Sequence, residues 1–284
     1  MTLCIAAICK ERKGKNKDPR IVIATDWKGE NPIAGAETTD KLYWIHKGCP
    51  VLIAGTVSRA LELKDTYRQT FLPLLLANPK APMVADNAFD VLKTALPIYK
   101  RKRAEEYIGT TLGVGYEAFL QNRDKLGDET FRALIRDVGK IEQEGELLIC
   151  TFVPFRLDAP ELDMVPLLFR VQDWEVIECD NFTTIGSGGP VAEAALFHRA
   201  HDERDSLATT LYNVFEATKL GSIAPGVGKH FTISVLYPPN EDGETVTRDV
   251  SAKGIKYLEA RFREFGPKPT KSLEFKEEYL DTAF

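Results

Sequence analysis

The sequence predicts an α+β fold in which sheets pack on each other and helices cover them. Three observations carry this. Strand-like runs come in blocks, before residue 58 and again after residue 145, instead of alternating singly with helices. Helical periodicity fills the stretches between and after those blocks. No linker signal interrupts the chain before residue 266, so a single domain spans 1–265, with an enlarged middle section at about 78–145 and a charged tail at 266–284.

Each element has its own signal. Residues 2–9 read as a buried strand, and 20–25 as a second one rich in β-branched residues. The charged stretch between them holds the turn formers Gly14, Asn16 and Pro19, which predicts a hairpin with a long tip. Residues 41–46 and 50–54 predict another strand pair, closed by Gly55. From Ser58, a predicted N-cap, Leu61, Tyr67, Phe71 and Leu74 to Leu76 mark a helical apolar face. A second helical region covers about 85–103, interrupted by Pro97, and 129–143 predicts another helix. The glycines at 109, 113, 115 and 127 leave the stretch between without an assignment. Strands are predicted at 146–153, 166–171, 175–179 and 182–185. Helices follow at 190–200 and 206–219, strands at 230–236 and 244–250, and a helix at about 252–265.

Composition bounds the function. Hydrophobic residues make up 44% and charged residues 28%, ordinary for a globular protein. A net charge of −5 argues against a nucleic-acid partner, and the basic clusters at 10–17 and 100–103 read as a solvated loop and helix face. No run approaches the roughly 18 apolar residues of a membrane span, and no targeting segment is evident. The five scattered cysteines form no C-x-x-C pair and read as buried, reduced thiols, which suggests a cytoplasmic protein. Cys4 falls in the same category. His198 and His201, three apart on a predicted helix, lack ligand-like partners and read as surface residues, so neither a metal nor a cofactor is expected.

The chemistry-bearing candidates begin at Thr2. Removal of Met1 would expose a threonine whose α-amine can act as general base for its own hydroxyl. Such a nucleophile needs a neutral base and donors for the developing oxyanion. Lys41 would disfavour protonation of the amine, Asp26 would pair with the lysine, and the Gly55 N–H is a candidate oxyanion donor. Singly, these residues have blander readings: Asp26 as a turn residue, Lys41 as a solvated lysine, Ser187 as part of a helix-entry turn. No phosphate-loop pattern surrounds Ser187.

Together, in this order, the segments Ile21-Val22-Ile23-Ala24-Thr25-Asp26, Asp40-Lys41-Leu42, Val51-Leu52-Ile53-Ala54-Gly55-Thr56 and Ile185-Gly186-Ser187-Gly188-Gly189-Pro190 carry a resemblance. The chain resembles proteasome β-type subunits, and most closely the peptidase subunit of the bacterial heat-shock protease, both N-terminal nucleophile hydrolases. The resemblance covers about residues 2–77 and 146–265. It implies a four-layer αββα sandwich of two antiparallel sheets flanked by helices. It also implies Thr2 as nucleophile, Asp26 and Lys41 as its charge partners, Ser187 near the amine, Gly55 in the oxyanion hole and Ile53 in the specificity pocket. The implied activity is threonine-type cleavage of peptide or protein substrates in a homo-oligomeric ring, with an unfoldase ATPase as candidate partner.

The sequence departs from that family in a longer first hairpin, an Asp26-to-Lys41 spacing of 15, and the enlarged middle section. In the 219–228 segment, where the family often places an acid and a serine, Ser222 is a candidate supporting residue with no acidic neighbour. Two further readings stay open: an amidohydrolase of the same superfamily acting on small amides, and a catalytically inactive ring subunit.

Overall fold

A computed structural model describes residues 2–10, 19–26, 41–77, 85–155, 164–240 and 242–267. The tip of the first hairpin, Asp40, and the tail beyond residue 267 lie outside the described residues.

In the amino-terminal part, β1 (Cys4–Cys9), β2 (Arg20–Asp26), β3 (Leu42–His46) and β4 (Cys49–Gly55) lead into α1 (Val57–Ala77). The middle section contributes α2 (Ala85–Lys93), α3 (Ala95–Leu112), α4 (Tyr116–Gln121), α5 (Arg123–Leu126) and α6 (Asp128–Val138). Then come β5 (Gly145–Pro154), β6 (Met164–Gln172), β7 (Glu175–Cys179), β8 (Phe182–Ile185), α7 (Gly189–His198), α8 (Leu207–Gly221), β9 (Phe231–Pro239), β10 (Thr245–Asp249) and α9 (Ala252–Phe265).

The strands form two antiparallel five-stranded sheets, ordered β10-β9-β2-β1-β8 and β3-β4-β5-β6-β7. The fold is therefore mixed α+β, with blocks of strands and helices as the sequence predicts. Register runs Cys4 opposite Thr25 on β2 and Cys4 opposite Ile185 on β8, which brings the ends of β2 and β8 to the start of β1.

Alternation along the strands assigns their faces. On β1, Ile5 and Ala7 pack with Val214, Phe215 and Leu258 of α8 and α9. The intervening Cys4, Ala6 and Ile8 pack with Leu52 and Ala54 of β4 and Leu148 and Cys150 of β5. Val51 and Ile53 point the other way, onto Ala60, Leu63 and Tyr67 of α1 and Leu92 and Tyr99 of α2 and α3. The inner faces of the two sheets thus share one apolar cluster, and each outer face meets helices. That layering is compatible with a sandwich.

The helices depart from expectation in three places. The first helix starts at Val57, with the Thr56 carbonyl accepting from Ala60 N at 2.9 Å, so Ser58 lies inside the first turn instead of capping it. Pro97 does not break α3, because it is the third residue of that helix, where the backbone N–H has no intrahelical partner. The helix predicted for 129–143 ends at Val138; Gln143 turns inward, donating to the Gly145 carbonyl at 2.6 Å and accepting from Trp174 N at 2.7 Å. By contrast, Ser206 and Ser251 cap α8 and α9, accepting from Thr209 N and Gly254 N. No helix among the described residues is long and apolar enough to cross a membrane.

Candidate active site

Thr2 lies just ahead of β1 and is buried, 6% exposed. Two segments hold the backbone of Thr2 and Leu3. From the β8–α7 turn, Ser187 Oγ accepts from Thr2 N at 3.3 Å and Gly188 N donates to Thr2 O at 3.2 Å. Gly186 opens this turn with φ +85°, and a Cβ there would stand 2.3 Å from Thr2 O. Only glycine fits that approach. The Gly-Ser-Gly-Gly-Pro run is thus a clasp around Thr2 that also starts α7, with Pro190 in its first turn.

The second segment is the end of β2. The Asp26 N–H donates to Leu3 O at 3.1 Å, and Asp26 Oδ1 accepts from Leu3 N at 2.9 Å. The same Oδ1 pairs with Lys41 Nζ, and Oδ2 accepts from Gly228 N at 2.8 Å. Both side chains are nearly closed to solvent, Asp26 at 1% and Lys41 at 3%. One carboxylate therefore joins the residue after Thr2, a buried ammonium and the loop beyond α8. A buried charge pair is helped by further hydrogen bonds, and the Leu3 and Gly228 N–H groups supply two to the carboxylate.

The structure thus brings Thr2, Asp26, Lys41 and Ser187 together. Gly55 sits at the exposed end of β4 with φ +77°, where a Cβ would stand 2.2 Å from the Glu144 carbonyl; that carbonyl also accepts from Thr56 N at 2.9 Å. These contacts pin the β4–α1 corner. Ile53 N donates to the Lys41 carbonyl at 3.1 Å, and the Cys4 thiol donates to the Ile53 carbonyl at 3.4 Å. The Ile53 side chain is packed against α1, 2% exposed. Ser222 ends α8, and its hydroxyl donates to the Lys219 carbonyl at 2.7 Å.

Three residues near the site escaped the sequence reading. Gly228 meets Asp26 across 202 positions, a contact no spacing rule reveals. Glu146 on β5 accepts from Gly186 N at 2.9 Å, and burial raises its carboxyl pKa above the ordinary value. Its only signal was an acid at the head of the apolar run Leu147-Leu148-Ile149-Cys150, after the polar Glu142-Gln143-Glu144. Glu144, with φ +60°, supplies the carbonyl that pins the Gly55 corner. Burial, the dominant influence, also pushes the Cys4 thiol far up, so it is no nucleophile at neutral pH.

The surface expectation for His201 is corrected. It lies beyond α7 and is buried, its Nε2 3.2 Å from the Ile8 carbonyl and its Nδ1 3.0 Å from Asp205. The backbone turns after His198, which carries His201 inward to pin β1 while His198 stays exposed. Among the described residues, no group of three or more His, Cys, Asp or Glu side chains is placed to hold a metal ion.

Comparison with protein-family models and with curated proteins finds no match to this chain.

Proposed function

We propose that the chain is an N-terminal threonine hydrolase of the proteasome-like αββα class, cleaving peptide bonds. The observation that carries this is the convergence on Thr2 and Leu3 of a buried Asp26–Lys41 pair from one side and the Ser187 turn from the other. A solvated lysine or a plain turn has no need of such a set.

Once Met1 is cleaved, Thr2 N becomes an α-amine, with an unperturbed pKa of about 7.7–8.0. The Lys41 charge disfavours its protonation and keeps it a base at neutral pH. The amine takes the hydroxyl proton as Oγ1 attacks the substrate carbonyl carbon. A C–O bond forms, and the carbonyl oxygen takes negative charge at the Gly55 N–H. The amine then passes its proton to the leaving nitrogen, and the C–N bond breaks. Water, deprotonated by the same amine, releases the acyl group and restores Thr2. Ser187, at Thr2 N, orients the amine. The family resemblance assigns Ile53 to the specificity pocket, although its side chain is closed against α1. The family resemblance extends the proposal to a homo-oligomeric ring served by an unfoldase ATPase.

The test is turnover of an unfolded protein, a set of short peptides and a set of small free amides. Thr2→Ser, which keeps hydroxyl and amine, is expected to retain peptide hydrolysis, and Thr2→Ala to lose it. Turnover of free amides alone would instead favour the amidohydrolase reading. Absence of any turnover by a folded protein would favour an inactive ring subunit.

A further inference from the structure

We propose that Glu146 is a positioning residue that holds the Thr2 clasp in place from the opposite sheet. Its role rests on the N-terminal nucleophile reading. Glu146 sits on β5 opposite Ala54, near the Gly55 corner. It alternates with Leu147, so it shares the inner face of its sheet with Leu148 and Cys150. From there it reaches β8 of the other sheet, and its Oε2 accepts from Gly186 N at 2.9 Å. Gly186 lies against the Thr2 carbonyl, and the next two residues make the hydrogen bonds to Thr2 N and Thr2 O. One carboxylate therefore ties the strand beside the candidate oxyanion donor to the turn that orients the candidate base.

Along β5 and on β4 the neighbouring inner-face positions Leu148, Cys150 and Ala54 are apolar, whereas across the strand pair Arg170 and Gln172 of β6 are polar and line a cleft with Glu146. Desolvation disfavours the charged form of Glu146, and the Arg170 charge offsets part of that. Its hydrogen-bond partner is a backbone amide. Arg170, which lines the same 270 Å³ cleft, pairs with Glu193 at 3.7 Å. The cleft admits water to the Gly186 N–H, so loss of the carboxylate would not leave that donor stranded. Water would not hold the turn at a fixed distance from β5, however, and position is what the clasp requires. Glu146 thus supplies an acid on the turn that clasps Thr2, from β5, where the 219–228 segment supplies none.

The experiment measures the maximal rate and the half-saturating concentration for modification of Thr2 by a peptide epoxyketone. It compares the wild type with Glu146→Ala, Glu146→Leu and Glu146→Gln, and thermal midpoints are recorded alongside. Alanine and leucine remove the acceptor, and leucine keeps the volume filled. Both are expected to lower the maximal rate about tenfold or more with little change in half-saturation, the scale of one lost positioning hydrogen bond. Glutamine retains an oxygen acceptor and is expected to stay within about threefold of the wild type. Wild-type rates in the folded leucine variant would overturn the proposal. So would equal losses in the glutamine and leucine variants, or losses that track the thermal midpoint. A wild type that loses Met1 but never labels would overturn the nucleophile reading itself, and this inference with it.

Discussion

Asp26 and Lys41 are 1% and 3% exposed, and that burial sets the consequence of disturbing either. Lys41→Met leaves a carboxylate uncompensated in the interior and is expected to reduce unfolding free energy by about 3–5 kcal/mol, read by denaturant titration. Asp26→Asn combined with Lys41→Met removes both charges and is expected to recover much of that loss without recovering Thr2 reactivity. Recovery of reactivity along with stability would mean that the pair is only structural. A second residue-scale prediction concerns pH. Burial, with Lys47 adding to it, lowers the His46 pKa from 6.5 to about 4. The unfolded chain therefore binds a proton there before the folded one does. The stability His46 contributes is present above pH 6.5 and is lost as pH falls toward 4. Denaturation midpoints should fall across that window, and His46→Gln should flatten the fall.

At the scale of elements, the joint between β4 and α1 is tightly constrained. Gly55→Ala would bring a Cβ to 2.2 Å from the Glu144 carbonyl at a φ of +77°. It is expected to destabilise by about 1–3 kcal/mol and to slow Thr2 modification. Gly109→Ala is the matched control: it lies inside α3 with nothing within 4 Å of its Cβ position, and it should stabilise by about 1 kcal/mol. Thermal midpoints of the two variants should move in opposite directions. The same two glycines show what the sequence discloses. Gly55 follows a clear apolar run and closes a strand. Gly109 resembles a breaker, yet it sits within α3, whose packing on α1 and α6 outweighs a single glycine. The stretch 104–128 is illegible for that reason, whereas unbroken apolar runs make β1, β2, β4 and β5 plain. Within the site, local motifs announced Thr2, Asp26, Lys41 and Ser187. Gly228 and Glu146 act through contacts 202 and 40 positions apart, which only the assembled sheets create.

For the whole molecule, three apolar clusters bind the layers: one between the sheets and one beneath each set of helices. The site lies at the edge of the inter-sheet cluster, where Cys4 and Ile185 are its members nearest Thr2 in register. The hydrogen bonds that hold Thr2 and Leu3 come from the β8–α7 turn and the end of β2, whose strands flank β1 in its own sheet. The C-terminal helix completes its own packing through Leu258 and through Arg199, which donates to the Phe265 carbonyl at 2.8 Å. The central claim, however, is chemical. It is tested most directly by the intact mass of the purified protein before and after exposure to a peptide epoxyketone, a reagent that captures an N-terminal hydroxyl and amine together. Loss of Met1 and a single adduct mapped to Thr2 is the predicted result. A retained Met1, or a free Thr2 that stays unlabelled in the folded protein, would contradict it.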